Sequence, residues 1–183
     1  VKDQINSEVS DIFSTSGAFA ALKNDGSVVT WGGPLYPSGD SSSVSSQLSS
    51  GVDQIFSNEG AFAALKEDGS VVTWGGSSYF GGDSSSVSSQ LGSGVDQIFS
   101  SDRAFAALKE GGSVITWGNP SWGGDSSSVS SQLSSGVDQI FSSGSAFSAL
   151  KEDGSVVTWG APDRGGDSRN VSSQISSGIN QIF

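Results

Sequence analysis

The stretch AFAALKEDGSVVTWG, residues 61–75, occurs four times in this chain with few changes. Its copies begin at Ala18, Ala61, Ala104 and Ala146. A second string, DSSSVSSQLSSGVDQIF in its first copy, lies between them and begins at Asp40, Asp83, Asp125 and Asp167. Repeats at a fixed spacing of this size predict a solenoid, a propeller or an array of small units, in which the repeat is the structural unit.

Each repeat contains three short apolar runs of strand length, which in the second repeat cover residues 52–57, 61–66 and 70–74. The last two flank Glu67-Asp68-Gly69, a strong hairpin signal because glycine accepts a positive φ without strain. Adjacent apolar residues such as Val71 and Val72 point to opposite faces of a strand, so both faces of the sheet must be covered. The pattern predicts propeller blades of antiparallel strands, each packed between two others.

The fold class predicted is therefore all-β, with β-propeller blades of three to four antiparallel strands. The repeats cover approximately residues 1–39, 40–82, 83–124 and 125–166, with a partial fifth repeat at 167–183. A tryptophan ends each hairpin and is expected to pack blade against blade rather than stack on a ligand. The four are Trp31, Trp74, Trp117 and Trp159.

The serine-rich segment of each repeat is ambiguous. Val87 and Leu91 share one face of either a strand or a helical turn, and Asp83 is placed to cap such a turn. Because the segment lacks good helix formers, we expect a poorly buried fourth strand at the outer edge of the blade.

The order Gly-Val-Asp-Gln-Ile, then Ala-Leu-Lys-Glu-Asp-Gly-Ser-Val-Val-Thr-Trp-Gly, then a loop with an aromatic residue and paired glycines resembles the regulator-of-chromosome-condensation repeat. It is similar above all to the short-repeat bacterial branch of that family, which includes a secreted β-lactamase inhibitor protein. The resemblance covers essentially the whole chain and implies four-stranded propeller blades that bind proteins.

The chain also departs from that family. The histidine that often precedes the Ala-Leu strand is absent, and Gly-Gly-Asp-Ser stands where Gly-Gln-Leu-Gly is usual. Nothing matches the nucleotide-exchange surface of the eukaryotic members closely enough to carry over that activity.

The composition of the chain limits the classes of partner that it is expected to bind. A net charge of −11 and a pI of about 4.1 argue against nucleic acid and anionic membranes, which require basic patches. No apolar run reaches membrane-spanning length, so membrane insertion is not expected. The acidic, cysteine-free, Ser/Gly-rich repeats suit an extracellular or cell-surface bacterial protein. The ends of the sequence, Val1 and a mid-repeat Phe183, suggest a segment of something longer.

Catalysis is not expected either. The chain contains neither histidine nor cysteine, which excludes Ser-His-Asp and Cys-His sites and ordinary zinc sites. Turn chemistry explains the hairpin carboxylates, and no cofactor is implied. A second set of carboxylates recurs between glycine and serine, where capping or Asx turns compete with a weaker calcium-binding alternative. That set is Asp40, Asp83, Asp125 and Asp167.

Two loops differ among the otherwise similar repeats, namely the loop before the Ala-Leu strand and the loop after Trp-Gly. In an up-and-down blade both leave the sheet at the same end, which predicts a recognition rim on a rigid scaffold. The candidate binding residues are Tyr36, Glu59, Tyr79, Phe80, Arg103, Trp122 and Arg164. Exposed aromatic residues there would anchor a protein or sugar partner, or would instead pack against the next blade.

The leading functional hypothesis is a noncatalytic protein-binding propeller segment of a large secreted or adhesin-like surface protein. A carbohydrate-binding module and a structural spacer without a ligand are the alternatives.

The ends of the array carry one surplus segment. Residues 1–13 align without gaps to residues 171–183, so the chain has four hairpins but five copies of the strand that precedes them. We therefore expect an open arc of a larger ring, able to self-associate through its end blades.

Overall fold

A computed structural model describes residues 8–32 and 39–182. Its strands form four three-stranded antiparallel sheets in the orders β1-β2-β3, β4-β5-β6, β7-β8-β9 and β10-β11-β12. Their bounds are β1 Val9–Ser14, β2 Ala18–Lys23, β3 Val28–Gly32, β4 Val52–Ser57, β5 Ala61–Lys66, β6 Val71–Gly75, β7 Val95–Ser100, β8 Ala104–Lys109, β9 Val114–Gly118, β10 Val137–Ser142, β11 Ala146–Lys151 and β12 Val156–Gly160. The all-β prediction is confirmed, and blades 1 to 4 denote these sheets in chain order.

The hairpin between the second and third strands forms as the sequence predicts. In blade 2, Gly69 has a φ of +72° and its N–H donates to the Lys66 carbonyl at 2.9 Å, closing the turn. A Cβ on Gly69 would lie 2.8 Å from the backbone nitrogen of Gly94, so glycine also permits contact with the next blade. We call this edge of the array the hairpin end and the opposite edge the rim end.

The predicted fourth strand is wrong. The serine-rich segments instead form single 3₁₀ turns at Ser42–Val44, Ser85–Val87, Ser127–Val129 and Arg169–Val171. The carbonyl of the apolar residue that follows each turn accepts a 2.9 Å hydrogen bond from the first residue of the third strand, as Leu91 does from Val71. One anchored leucine therefore completes the edge of the blade, and an extended strand of weakly β-forming serines is not needed.

Each blade has a rear face, which is turned to the preceding blade, and a forward face, which is turned to the following blade. Each interface joins the forward face of one blade to the rear face of the next. Between blades 3 and 4 the buried cluster combines forward residues Ala106 and Leu133 with rear residues Ile140, Phe147 and Trp159. Each buried tryptophan stacks on a phenylalanine of the neighbouring strand, with ring centroids 5.1–5.4 Å apart. Trp74, Trp117 and Trp159 are each 2% exposed, which confirms their packing role.

Backbone hydrogen bonds tie the blades together at the hairpin end. The Val52, Val95 and Val137 N–H groups donate at 3.0 Å to the hairpin glycine carbonyls of the preceding blades, Gly26, Gly69 and Gly112. Lysine side chains reinforce this arrangement, since Lys109 Nζ donates at 2.7 Å to the Gln90 carbonyl. Each blade is therefore held to its neighbours by main-chain contacts as well as by the apolar interface.

The rear face of blade 1 is uncovered. Ile12 is 61% exposed and Phe19 45%, whereas the equivalent Ile55 and Phe62 of blade 2 are 3% and 0% exposed. Within the described residues the array is thus open at this end, as the predicted arc requires. Of the helical segments in residues 8–32 and 39–182, none has the length and apolar character to cross a membrane.

Candidate recognition rim between blades 2 and 3

The first variable loop of each blade is held by one polar side chain at a shared position. The side-chain oxygens of Thr15, Asn58, Ser101 and Ser143 each accept a hydrogen bond from the first residue of the second strand, at 2.9–3.2 Å. The amide of Asn58 also donates to the Phe80 carbonyl at 2.7 Å, and the Ser101 hydroxyl donates to the Trp122 carbonyl at 2.8 Å. In blades 2 and 3, one residue therefore fixes both variable loops of its blade against each other.

The first variable loops of successive blades are joined by a backbone ladder. The N–H of Ser16 donates to the Glu59 carbonyl, that of Glu59 to the Asp102 carbonyl, and that of Asp102 to the Gly144 carbonyl, each at 3.0 Å. Because these bonds run from blade 1 to blade 4, residues of neighbouring blades keep a fixed spacing at the rim end. The rim is thus preorganised before any partner arrives.

Five of the predicted rim residues meet at the junction of blades 2 and 3, and we call them the rim cluster: Glu59, Tyr79, Phe80, Arg103 and Trp122. Arg103 lies at its centre, with Nε donating to Glu59 Oε2 at 2.9 Å and Nη1 to the Tyr79 hydroxyl at 2.6 Å. Its guanidinium carbon lies 4.6 Å from the ring centroid of Trp122, 5.3 Å from that of Tyr79 and 5.8 Å from that of Phe80.

These contacts set the charge state and the orientation of Arg103. Hydrogen bonds from the guanidinium to Glu59 and Tyr79 raise its pKa, so it stays cationic at any physiological pH. The ion pair is partly exposed, with 29% of the Arg103 and 42% of the Glu59 side chain accessible, so it orients the arginine more than it stabilises the fold. The aromatic rings hold the flat guanidinium by cation–π attraction.

The aromatic members differ in exposure. Tyr79 is 46% exposed and packs edge-on against Phe80 with centroids 5.1 Å apart. Phe80 and Trp122 are half-buried against the apolar clusters that join blades 2 and 3 and blades 3 and 4, respectively. Phe80 and Trp122 therefore pack against the next blade, as one of the two interpretations predicts, whereas Tyr79 faces solvent.

One of the two remaining candidates lies elsewhere. Arg164 is exposed in the rim loop of blade 4, where its carbonyl accepts a 3.4 Å hydrogen bond from the Ser143 hydroxyl. Tyr36 falls outside the described residues. The rim cluster is therefore concentrated at one junction between blades.

Comparing the four repeats with one another did not identify the residues that position the rim cluster. Ser101 is 4% exposed and Asn119 6%, and the Asn119 side chain accepts from the Ser121 N–H at 2.9 Å to start the short turn that carries Trp122. A signal was present, because the position of Ser101 is Thr, Asn or Ser in the other blades. These residues share hydrogen-bonding chemistry rather than identity, so a search for identical residues does not find them.

The carboxylates of the outer turns form hydrogen bonds within their own turns. Oδ1 of Asp40, Asp83, Asp125 and Asp167 accepts from the backbone N–H two residues ahead, at 2.8–3.0 Å. Hydrogen bonds from the side chain and the backbone of the residue two positions ahead lower the pKa of all four carboxyls, and that of Asp167 falls to about 2 because its largest contribution comes from the Arg169 side chain. Across residues 8–32 and 39–182, no three acidic groups lie close enough together to hold a metal ion.

Two shallow grooves of about 650 and 790 Å³ lie at the outer edge, one between blades 1 and 2 and the other between blades 3 and 4. Serines and other small polar residues line much of both.

Comparison with known proteins supports the fold. No protein-family model matches the chain, and no curated protein matches it either. Solved structures do, and three are human WBSCR16 (19% identity, 87% of this chain, TM-score 0.53), the ectodomain of the Physcomitrella patens receptor kinase CR4 (16%, 82%, 0.53) and yeast RCC1, Prp20, in the structure with Kap60 (14%, 83%, 0.53). The chain spans 49%, 40% and 42% of those structures, less than half of each. These likenesses establish a repeat β-propeller fold.

Proposed function

We propose that this chain is a noncatalytic propeller segment that binds a protein partner through the rim cluster. The observation that carries the proposal is the placement of Arg103 beside three aromatic rings on a rim whose loops are fixed by hydrogen bonds. Tyrosine, tryptophan and arginine are the residues most enriched at energetic centres of protein interfaces. A rigid scaffold lowers the entropic cost of binding, because the contact residues are ordered beforehand.

The sequence adds support, because the rim is where the blades differ. The scaffold positions are nearly identical in all four repeats, while the cluster uses Glu59, Arg103 and the aromatic residues of only two. Such divergence on a constant frame is typical of binding loops. Among the structural neighbours, yeast Prp20 is described in complex with Kap60, a precedent for a protein partner of a chain that contains this fold.

The proposed setting is the exterior of a bacterial cell, in a secreted or adhesin-like protein of the short-repeat bacterial branch. The acidic, cysteine-free, Ser/Gly-rich composition supports it. Antibody labelling of intact cells of the source organism tests the location, and a signal found only after lysis would contradict it.

Site-specific photo-crosslinking tests the binding proposal. A photoreactive phenylalanine analogue at Tyr79, on the rim, is compared with the same analogue at exposed Glu67, at the hairpin end. In material from the native surroundings, the Tyr79 position should yield a discrete crosslinked protein that the Glu67 position does not. Crosslinking from Glu67 alone would place the site at the opposite end.

A carbohydrate-binding module is the second candidate, because exposed rings beside a fixed polar side chain also suit sugar recognition. Glycan-array signals that Trp122→Ala abolishes would favour it over a protein partner. If the chain binds neither a protein nor a glycan in these assays, it is a structural spacer.

A further inference from the structure

The rear face of blade 1 has the same design as the three rear faces buried inside the array. It consists of Val9, Ile12, Phe19, Ala21, Val29 and Trp31, and the equivalent residues of blade 2 are Val52, Ile55, Phe62, Ala64, Val72 and Trp74. Phe19 stacks on Trp31 at 5.4 Å, as Phe105 does on Trp117. The face is thus built to be covered by a blade.

The forward end of blade 4 carries the complementary half. In blades 1 to 3 that half includes Leu48, Leu91 and Leu133, each 2% exposed against the following blade. The equivalent Ile175 is only half-buried. Val171 is 41% exposed, whereas its equivalents Val44, Val87 and Val129 pack against the next blade. Apolar side chains that are buried at every internal interface are therefore accessible at both ends.

We propose that a second copy of this chain docks head to tail, with the forward end of blade 4 of one copy on the rear face of blade 1 of the other. The argument is continuity with an existing interface, since the chain already joins these two faces three times. The end faces differ little in sequence from the internal ones, with Ser148 replacing the alanine of blades 1 to 3. The proposal goes beyond rim binding and does not depend on it.

Docking requires one local rearrangement. The Ile179 N–H donates to the Gly154 carbonyl at 3.0 Å, the bond that Val52 makes to Gly26 between blades 1 and 2. In the assembly, Val9 of the second copy takes that place. Residues 179–182 form no strand, whereas β1 is paired with β2 from Val9 to Ser14, with a register shift between Val9 and Asp11. The paired strand therefore displaces the single one.

Because the interface is heterologous, its two faces can be blocked separately. Ile12→Asp places a charge on the exposed rear face, and the double variant Val171→Asp/Ile175→Asp does the same at the forward end. Ser89→Asp, which adds the same charge at an exposed position in the outer segment of blade 2, is the matched control. Circular dichroism confirms that each variant keeps its strand content.

Sedimentation velocity at physiological salt, between roughly 1 and 200 μM protein, measures the assembly. The unaltered chain and Ser89→Asp should show a mass that increases with concentration. Each blocked variant should dissociate at a concentration at least about 30-fold higher. An equimolar mixture of the two blocked variants should form a one-to-one complex, because each supplies the face that the other lacks.

Three results would overturn the proposal. The unaltered chain could remain a monomer throughout, in which case the exposed faces meet a different blade or no partner. The forward-end variant could associate like the unaltered chain, which would indicate that rear faces pair with each other. The mixture could fail to form a complex although the unaltered chain associates, which would place the contact elsewhere.

Discussion

Two equivalent phenylalanines, one buried and one exposed, allow the effect of burial on stability to be measured in the same sequence context. Phe105 and Phe19 occupy the same register in β8 and β2 and stack on their tryptophans at the same 5.4 Å. Phe105 is 0% exposed, whereas Phe19 is 45% exposed. Truncating the buried ring removes its full transfer free energy and leaves a cavity, so Phe105→Ala should destabilise the fold by about 3–5 kcal/mol.

The exposed ring of Phe19 contributes less to the stability of the fold than the buried ring of Phe105. About half of Phe19 is already in contact with water, and solvent can enter the space that truncation leaves, so Phe19→Ala should cost only about 1–2 kcal/mol. Urea unfolding followed by far-UV circular dichroism, on protein dilute enough to be monomeric, measures both changes. Equal losses of stability at the two positions would contradict this prediction, because they would show that the rear face of blade 1 is covered within a single chain.

The remaining predictions concern turns, the rim and pH. Gly69→Ala should destabilise the fold by about 2 kcal/mol or more, because Gly69 has a φ of +72° and the added Cβ would meet Gly94. Gly111→Ala, where a Cβ would have no atom within 4 Å, should instead stabilise the fold by about 0.4–1 kcal/mol. Urea unfolding compares the two variants. Ser101→Ala should cost about 1–3 kcal/mol in the same assay by leaving buried groups unpaired, while exposed Ser121→Ala changes stability by less than about 0.5 kcal/mol. Hydrogen bonds from the Ser70 side chain and backbone lower the pKa of Asp68, so the folded state binds its proton less readily than the unfolded state and stability falls as pH drops below about 4. Between pH 6 and pH 2 the melting temperature should decrease less for Asp68→Asn than for the unaltered chain. An equal decrease for both would contradict a contribution from Asp68.

Sequence periodicity predicted the strands, the hairpins and the tryptophan packing because each depends on contacts within a repeat or between identical repeats. The outer segment was mispredicted as a strand. Val87 and Leu91 lie on one face of either a strand or a helical turn, and one backbone bond to the Leu91 carbonyl decides in favour of the turn. Local pattern alone does not contain that tertiary contact.

The rim was predicted in composition but not in arrangement. Comparing the repeats identified Glu59 and Arg103, which lie 44 residues apart. Their pairing depends on how blade 2 meets blade 3, a geometry that no single repeat contains. The same limitation applies to Trp122, whose half-burial arises from packing against the interface with blade 4.

The most direct test of rim recognition is the affinity for the partner captured at Tyr79, measured by isothermal titration calorimetry with three forms of the chain. We expect the double variant Arg103→Ala/Trp122→Ala to bind at least about 30-fold more weakly than the unaltered chain. A double variant at the hairpin end, Glu67→Ala/Glu110→Ala, should bind within about twofold of it. Unchanged affinity of the rim variant, with its circular dichroism spectrum intact, would contradict the account.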